Sequence, residues 1–261
     1  MWKRKRAPEP SFAESISAIL RRDHRHPNLC SKPPKRIAWA VSGQGRGCIA
    51  VQAAIDRGLI DAEIGLIVTD RPSSIADFAR ARDIPCVLIE PDVVPFHPNL
   101  LDVLATHRCE WMGLTFNRLL SEAVLDAFGG RIFNVHFSLL PMYPGFGART
   151  KTLTAGMRMT AATIHLIDAN PDNGIILAQA ACAVTASDTP PTLGLRMFEA
   201  VLPQLLQVVR SIASDELTFE RGAGLTWPRA HIAPSAPTYV FPLIDADLEQ
   251  FAANFCRNLQ L

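Results

Sequence analysis

The run Asn134-Val135-His136-Phe137-Ser138-Leu139-Leu140-Pro141 sets an amide and an imidazole two residues apart, directly after an apolar stretch that begins near Arg131. Side chains alternate along a strand, so Asn134 and His136 share one face at its end. Amide and imidazole N–H groups side by side can donate to an oxyanion. A carboxylate from another loop, Asp172, can orient the imidazole or exchange a proton with it. These are the demands of acyl or formyl transfer, in which one tetrahedral oxyanion forms and one proton moves. Taken singly, a histidine after a strand is usually structural and an aspartate in a turn is usually a turn residue. The combination carries the chemistry.

The elements that must position these groups follow from the pattern of apolar residues. Strands are expected at Ile37–Val41, Ile64–Val68, Cys86–Ile89, Glu110–Leu114 and Arg131–Val135, with helices between them after Gly47, over Ser73–Arg82, near Leu100–Thr106 and over Ser121–Phe128. Such alternation predicts an α/β fold, a mostly parallel Rossmann-like sheet with helices on both faces. Sheets of this kind bind ligands at the carboxyl ends of their strands. Asn134 and His136 lie there, and so does the loop Gly43-Gln44-Gly45-Arg46-Gly47. Two further strands, Thr160–Ile167 and Ile175–Val184, flank a turn-rich loop from Asp168 to Gly174. A long amphipathic helix carries Leu193, Met197, Val201, Leu205 and Val209 every four residues, a core stripe.

The glycine loop suits an anion, because backbone amides and a helix N-terminus converge there. It is not a dinucleotide fingerprint, whose third glycine would stand at Cys48, nor a Walker loop, since no Gly-Lys-Ser/Thr ending follows. It remains an anion-binding turn with Arg46 as a phosphate or carboxylate ligand, or a tight turn without a ligand.

Composition narrows the class. The chain has 261 residues, 48% hydrophobic, with a net charge of +1, which supplies no global field for nucleic acid or membrane. Six scattered cysteines without a CxxC pair fit reduced thiols. Lys3 to Arg6 are followed by Ala7-Pro8-Glu9-Pro10 instead of an apolar signal segment, and a cytoplasmic location is expected. Residues 1–35 form an N-terminal extension, a short helix from Ser11 to about Arg22 and then a linker. Its His24 and His26 lack a third ligand nearby, so no metal is expected. Residues 36–220 form the catalytic domain. Residues 221–261 form a C-terminal extension with an amphipathic segment, Leu248, Phe251, Phe255 and Leu259, suited to packing on the domain or on a second copy. Monomer and homodimer both remain open.

From about Arg36 to Val209 the chain resembles the folate-dependent formyltransferases, most closely those acting on glycinamide ribonucleotide. The likeness rests on Ser42-Gly43-Gln44-Gly45, Phe116-Asn117-Arg118-Leu119-Leu120-Ser121, the Asn134–Pro141 string with Tyr143-Pro144-Gly145, Thr163-Ile164-His165, Asp172-x-Gly174 and Ala178-Gln179-Ala180. The resemblance implies 10-formyltetrahydrofolate as co-substrate, no metal, and Asn134, His136 and Asp172 as the catalytic residues. It implies that Asn117, Arg118, Leu119 and Leu120 line the pteridine site, with the loop from Asp168 to Asp172 closing over the same ring. His165 would support the Asp172 loop. Ser138 is expected to hydrogen-bond within its own loop and not to act as a nucleophile.

The departures from that family pattern fall on the acceptor side. Arg46 and Gly47 replace a Ser-Asn pair, Phe137 replaces a proline, Arg149 stands where a histidine is usual, and the acid on the long helix falls near Val201, with Glu199 two residues away. Gly43, Gln44, Gly45, Arg46, Gly47, Phe137, Arg149 and Glu199 are therefore the expected acceptor contacts. The expected activity is N-formylation of a small, anionic primary amine, an amine of specialised metabolism. Glycinamide ribonucleotide, water as acceptor (a hydrolase) and a catalytically silent folate-binding protein are the alternatives. Neither end resembles the arm of a tRNA-directed formyltransferase, and no basic patch for nucleic acid stands out.

Overall fold

The computed structural model describes residues 33–91, 95–220, 224–226, 240–241 and 244–259. The expected helix from Ser11, the linker and the His24/His26 pair lie outside the described residues. Eight strands form one sheet in the order β10-β7-β6-β5-β4-β1-β2-β3. Strands β1 (Lys35–Val41), β2 (Ala62–Thr69), β3 (Cys86–Leu88), β4 (Trp111–Thr115) and β5 (Ile132–His136) pair in parallel. Strands β6 (Met159–Leu166), β7 (Ile176–Ala183) and β10 (Val240–Phe241) continue the sheet antiparallel. A separate hairpin joins β8 (Thr218–Glu220) to β9 (Gly224–Thr226).

The central strands are buried on both faces, which is why they read as continuous apolar runs. Along β1, Ile37, Trp39 and Val41 join one core, packed under α1 (Arg46–Asp56), α2 (Ile75–Arg80), α6 (Pro190–Ala213) and α7 (Ala246–Asn258). Ala38 and Ala40 join the other, under α3 (Phe96–Thr106) and α4 (Glu122–Phe128). This is the predicted doubly covered sheet. One short helix, α5 (Ala148–Thr154), was not expected. Its sequence, Ala-Arg-Thr-Lys-Thr-Leu-Thr, has no apolar period, and it starts from Gly147 in the left-handed region at φ 73°.

The long helix α6 begins on a capping box: Thr189 accepts from the Thr192 N–H, and the Thr192 hydroxyl accepts from the Thr189 N–H at 2.8 Å, with Pro190 and Pro191 in the first turn. The described part of residues 221–261 lies on the same body. β10 extends the sheet beside β7, and α7 buries Leu248, Phe251 and Phe255 in the first core. Arg210 on α6 fastens it, donating to Asp247 at 2.6 and 2.9 Å and to Asp245 at 3.1 Å. Among the described residues, no helix is long and apolar enough to cross a membrane.

Phe255 is 2% exposed. Phe255→Ala should therefore lower the unfolding free energy by about 3–5 kcal/mol in a single urea transition. A C-terminal helix that is not part of the folded core would leave that transition unmoved.

Candidate active site

At the carboxyl edge of the parallel strands, β5 ends in Asn134 and His136, and the antiparallel pairing sets Asn134 opposite His165 and His136 opposite Thr163 on β6. The loop between β6 and β7 returns Asp172 to this edge in a left-handed conformation, φ 54°. Its carboxylate Oδ2 accepts the Gly145 N–H at 2.7 Å and lies 3.3 Å from His136 Nδ1, while Oδ1 lies 3.4 Å from His165 Nε2. The other nitrogen of His136 donates to the Tyr143 carbonyl at 3.0 Å. The ring of His136 is thus held between the Asp172 carboxylate and the Tyr143 carbonyl.

His165 is completely buried and donates through Nδ1 to the Leu166 carbonyl at 2.9 Å, while its Nε2 lies 3.4 Å from the Asn134 amide nitrogen. Neutral, it accepts from Asn134; protonated, it pairs with Asp172. Either way it supports the pair in front of it, and sequence reasoning had assigned it that part. Burial alone pushes the Asp172 carboxyl up. The hydrogen bonds from His165 and Gly145 and the nearby imidazoles overcome that and hold it below the usual carboxylate range. The predicted trio is therefore assembled. Ser138 donates to the Met142 carbonyl at 2.7 Å, within its own loop as expected.

Two cavities meet here. The first, about 390 Å³, holds Asn134, His136 and Asp172 together with Asn117, Arg118, Leu119, Leu120 and Asp168, and it borders the core under α3 and α4. The second, about 360 Å³, is lined by Gly43, Gln44, Gly45, Arg46 and Gly47 at the start of α1 and by Gly194, Leu195 and Phe198 on α6, in the other core. Thr115, Val135, Phe137 and Arg149 line both. Arg149 donates to the Pro190 carbonyl at 3.0 Å and lies over the Phe137 ring, 5.7 Å from its centroid. Glycine at residue 194 leaves room for its guanidinium in this position, which a Cβ there would displace.

Glu199 is the exception among the expected contacts. It lines neither cavity, and its charge acts instead on the Cys182 and Cys256 thiols. Two residues along a helix is a turn of roughly 200°, so being near Val201 in sequence does not place it on the same side. Sequence reasoning also missed Asp70, a buried carboxylate at the end of β2 paired with Arg118 and Arg71. Its signal was its place, since the rule that selected Asn134 applies to every strand end.

Residues 35–209 match the family model described as formyl transferase. The chain belongs to the formyl transferase family. A phosphoribosylglycinamide formyltransferase of Bacillus subtilis (strain 168) is 31% identical over 185 residues, 66% of this chain and 95% of that protein. The crystal structure of glycinamide ribonucleotide transformylase 1 from Symbiobacterium toebii superposes with a TM-score of 0.70 at 27% identity, covering 75% of this chain and 95% of that one. A formyltetrahydrofolate deformylase from Pseudomonas syringae pv. tomato shares the fold, with a TM-score of 0.68 at 17% identity over 74% of this chain and 66% of that one.

The co-substrate of the family is 10-formyltetrahydrofolate, and the first cavity fits such a group. No hydrogen bond among the described residues engages the backbone of Arg118 or Leu120 at its wall, leaving donors and acceptors for the edge of a flat heterocycle. Leu119 and Phe146 line the same cavity 63% and 66% exposed, apolar surface that a ring would cover.

The depressed Asp172 carboxyl gives a stability prediction. Its ionised form adds stability above the unfolded value of about 4, and this is lost as pH falls through the lower folded value. Melting curves of wild type and Asp172→Asn should differ most near neutral pH and converge below about pH 4. A gap that stayed constant with pH would show that the carboxylate's charge adds nothing.

Proposed function

We propose that this chain transfers the formyl group of 10-formyltetrahydrofolate to the primary amine of a small anionic acceptor. The observation that carries the reading is the meeting of two cavities, bordering opposite cores, at the Asn134/His136/Asp172 edge. Donor in the first and acceptor in the second bring the two reactants together at this edge, the condition for a direct transfer.

The amine lone pair forms the new bond to the formyl carbon, and the carbonyl electrons move onto oxygen. The Asn134 amide and the His136 Nε2–H, which here donates to Tyr143, are the donors available to that oxyanion. The amine proton passes toward the Asp172/His136 pair, the C–N bond to the folate breaks as the oxyanion collapses, and the leaving nitrogen takes up a proton. Arg46 and Arg149 line the second cavity, and their guanidinium groups favour an anionic acceptor. Burial lowers the Arg46 pKa from its ordinary value, but a guanidinium remains a cation at neutral pH.

The second reading, glycinamide ribonucleotide as acceptor, is favoured by the names of the relatives. Against it stand the arginine at the glycine loop and the absence of Glu199 from the cavity wall. Release of tetrahydrofolate from 10-formyltetrahydrofolate, followed with that nucleotide, with other anionic amines and with no amine, separates the readings. Turnover with other anionic amines but not the nucleotide supports the first. Turnover with the nucleotide alone makes it the acceptor, and equal release without amine means hydrolysis.

His136→Ala and Asp172→Asn should each lower turnover by about two orders of magnitude or more, with modest loss of folate binding. Near wild-type turnover in either variant contradicts the mechanism. Arg46→Ala should raise the acceptor KM more than it lowers kcat, and an unchanged KM removes Arg46 from the site.

A further inference from the structure

Asp70 is a buried carboxylate that the transfer chemistry does not use. It follows Thr69 at the end of β2, its side chain is 0% exposed, and it lines neither cavity. Arg118 donates to it through Nε at 2.9 Å, and Arg71 donates through Nε and Nη2, both at 2.9 Å. The Ser42 hydroxyl faces Asp70 closely enough to favour its ionised form, and Ser42 Oγ accepts the Asn117 N–H at 2.9 Å. Ser42 directly precedes the glycine loop of the second cavity, while Asn117 and Arg118 line the first. One carboxylate therefore ties the two loops together.

The remainder of residues 116–120 is held by weaker contacts. Phe116 stacks on Phe96 with centroids 5.5 Å apart, and His97 Nε2 donates to the Leu119 carbonyl at 3.1 Å in an exposed hydrogen bond. Neither sets the direction of the backbone at Arg118. A charge-assisted bond to a carboxylate that water does not reach is stronger and more directional than these contacts.

We propose that Asp70 is a positioning residue for formyl-donor binding, holding through Arg118 and Ser42 the backbone edge that Arg118 and Leu120 present to the first cavity; this rests on the donor assignment of that cavity. Asp70 acts without touching the folate, so its removal changes how well the edge is held and leaves the reacting groups in place.

The test is equilibrium binding of tetrahydrofolate to the full chain without acceptor, for wild type, Asp70→Asn, Ser42→Ala, Arg118→Met and the Asp70→Asn/Arg118→Met double variant, each with a melting curve. Asp70→Asn should weaken binding about tenfold. Ser42→Ala should weaken it by a few-fold. Adding Asp70→Asn to Arg118→Met should change binding little further, the non-additivity of residues acting through one another. In assays with 10-formyltetrahydrofolate, the donor KM should rise with Asp70→Asn while kcat at saturating donor holds within about twofold. Wild-type binding by Asp70→Asn, or a full additional loss in the Arg118→Met background, overturns the proposal, as does a lowered melting temperature with unchanged binding. If Asp70→Asn does not fold, Ser42→Ala decides the matter: weakened binding supports the proposal and wild-type binding overturns it. Failure of the wild-type chain to bind tetrahydrofolate overturns the donor assignment and this inference together, whereas binding that is indifferent to Asp70 overturns the inference alone.

Discussion

The register of a single antiparallel ladder underlies the site. β5 and β6 pair so that Asn134 faces His165 and His136 faces Thr163. Slipping that register by one residue would turn the polar side chains of one strand to the opposite face and separate the imidazoles from the amide they serve. Given the register, two histidines from neighbouring strands converge on one point, and a carboxylate must be supplied there. Asp172 supplies it from the β6–β7 loop, in a left-handed conformation that aspartate adopts more readily than most residues. The Gly145 N–H on the same oxygen as His136 anchors that loop to the chain that follows β5.

The hydrophobic layers follow the same geometry. Because β1 alternates its side chains between two cores, helices cover both faces of the sheet, and the carboxyl edge becomes a ridge with a hollow on either side. Asn134 and His136 stand in one hollow, and Val135 between them reaches both. Molecules held one in each hollow would face one another across that ridge.

Much of this was legible in the residues. The apolar runs gave the parallel strands to within a residue or two, and the rule that ligands gather at strand ends singled out Asn134, His136 and the glycine loop. The family resemblance added Asn117–Leu120, which line the first cavity. What failed to be read has physical reasons. Helix α5 lacks any apolar period because little of it is buried. Glu199 was chosen by distance along the chain, although on a helix angle decides which side chain faces a ligand. Asp70, followed by Arg71, reads as an ordinary turn residue, since only the fold brings Arg118 to it across 48 positions. The C-terminal helix was recognised by its stripe, but the stripe could not say which surface it covers.

The separation of the two hollows also bears on how such a protein can diversify. The walls of the second cavity come largely from the loop and first turn of α1 and from α6 between Pro191 and Leu205, those of the first from β5 and the segments after β4, β5 and β6, and only Thr115, Val135, Phe137 and Arg149 serve both. Drift elsewhere in the second set leaves the first cavity untouched, whereas a change at the shared four is felt in both at once. A lineage built on this plan can change what one hollow receives while keeping what the other receives.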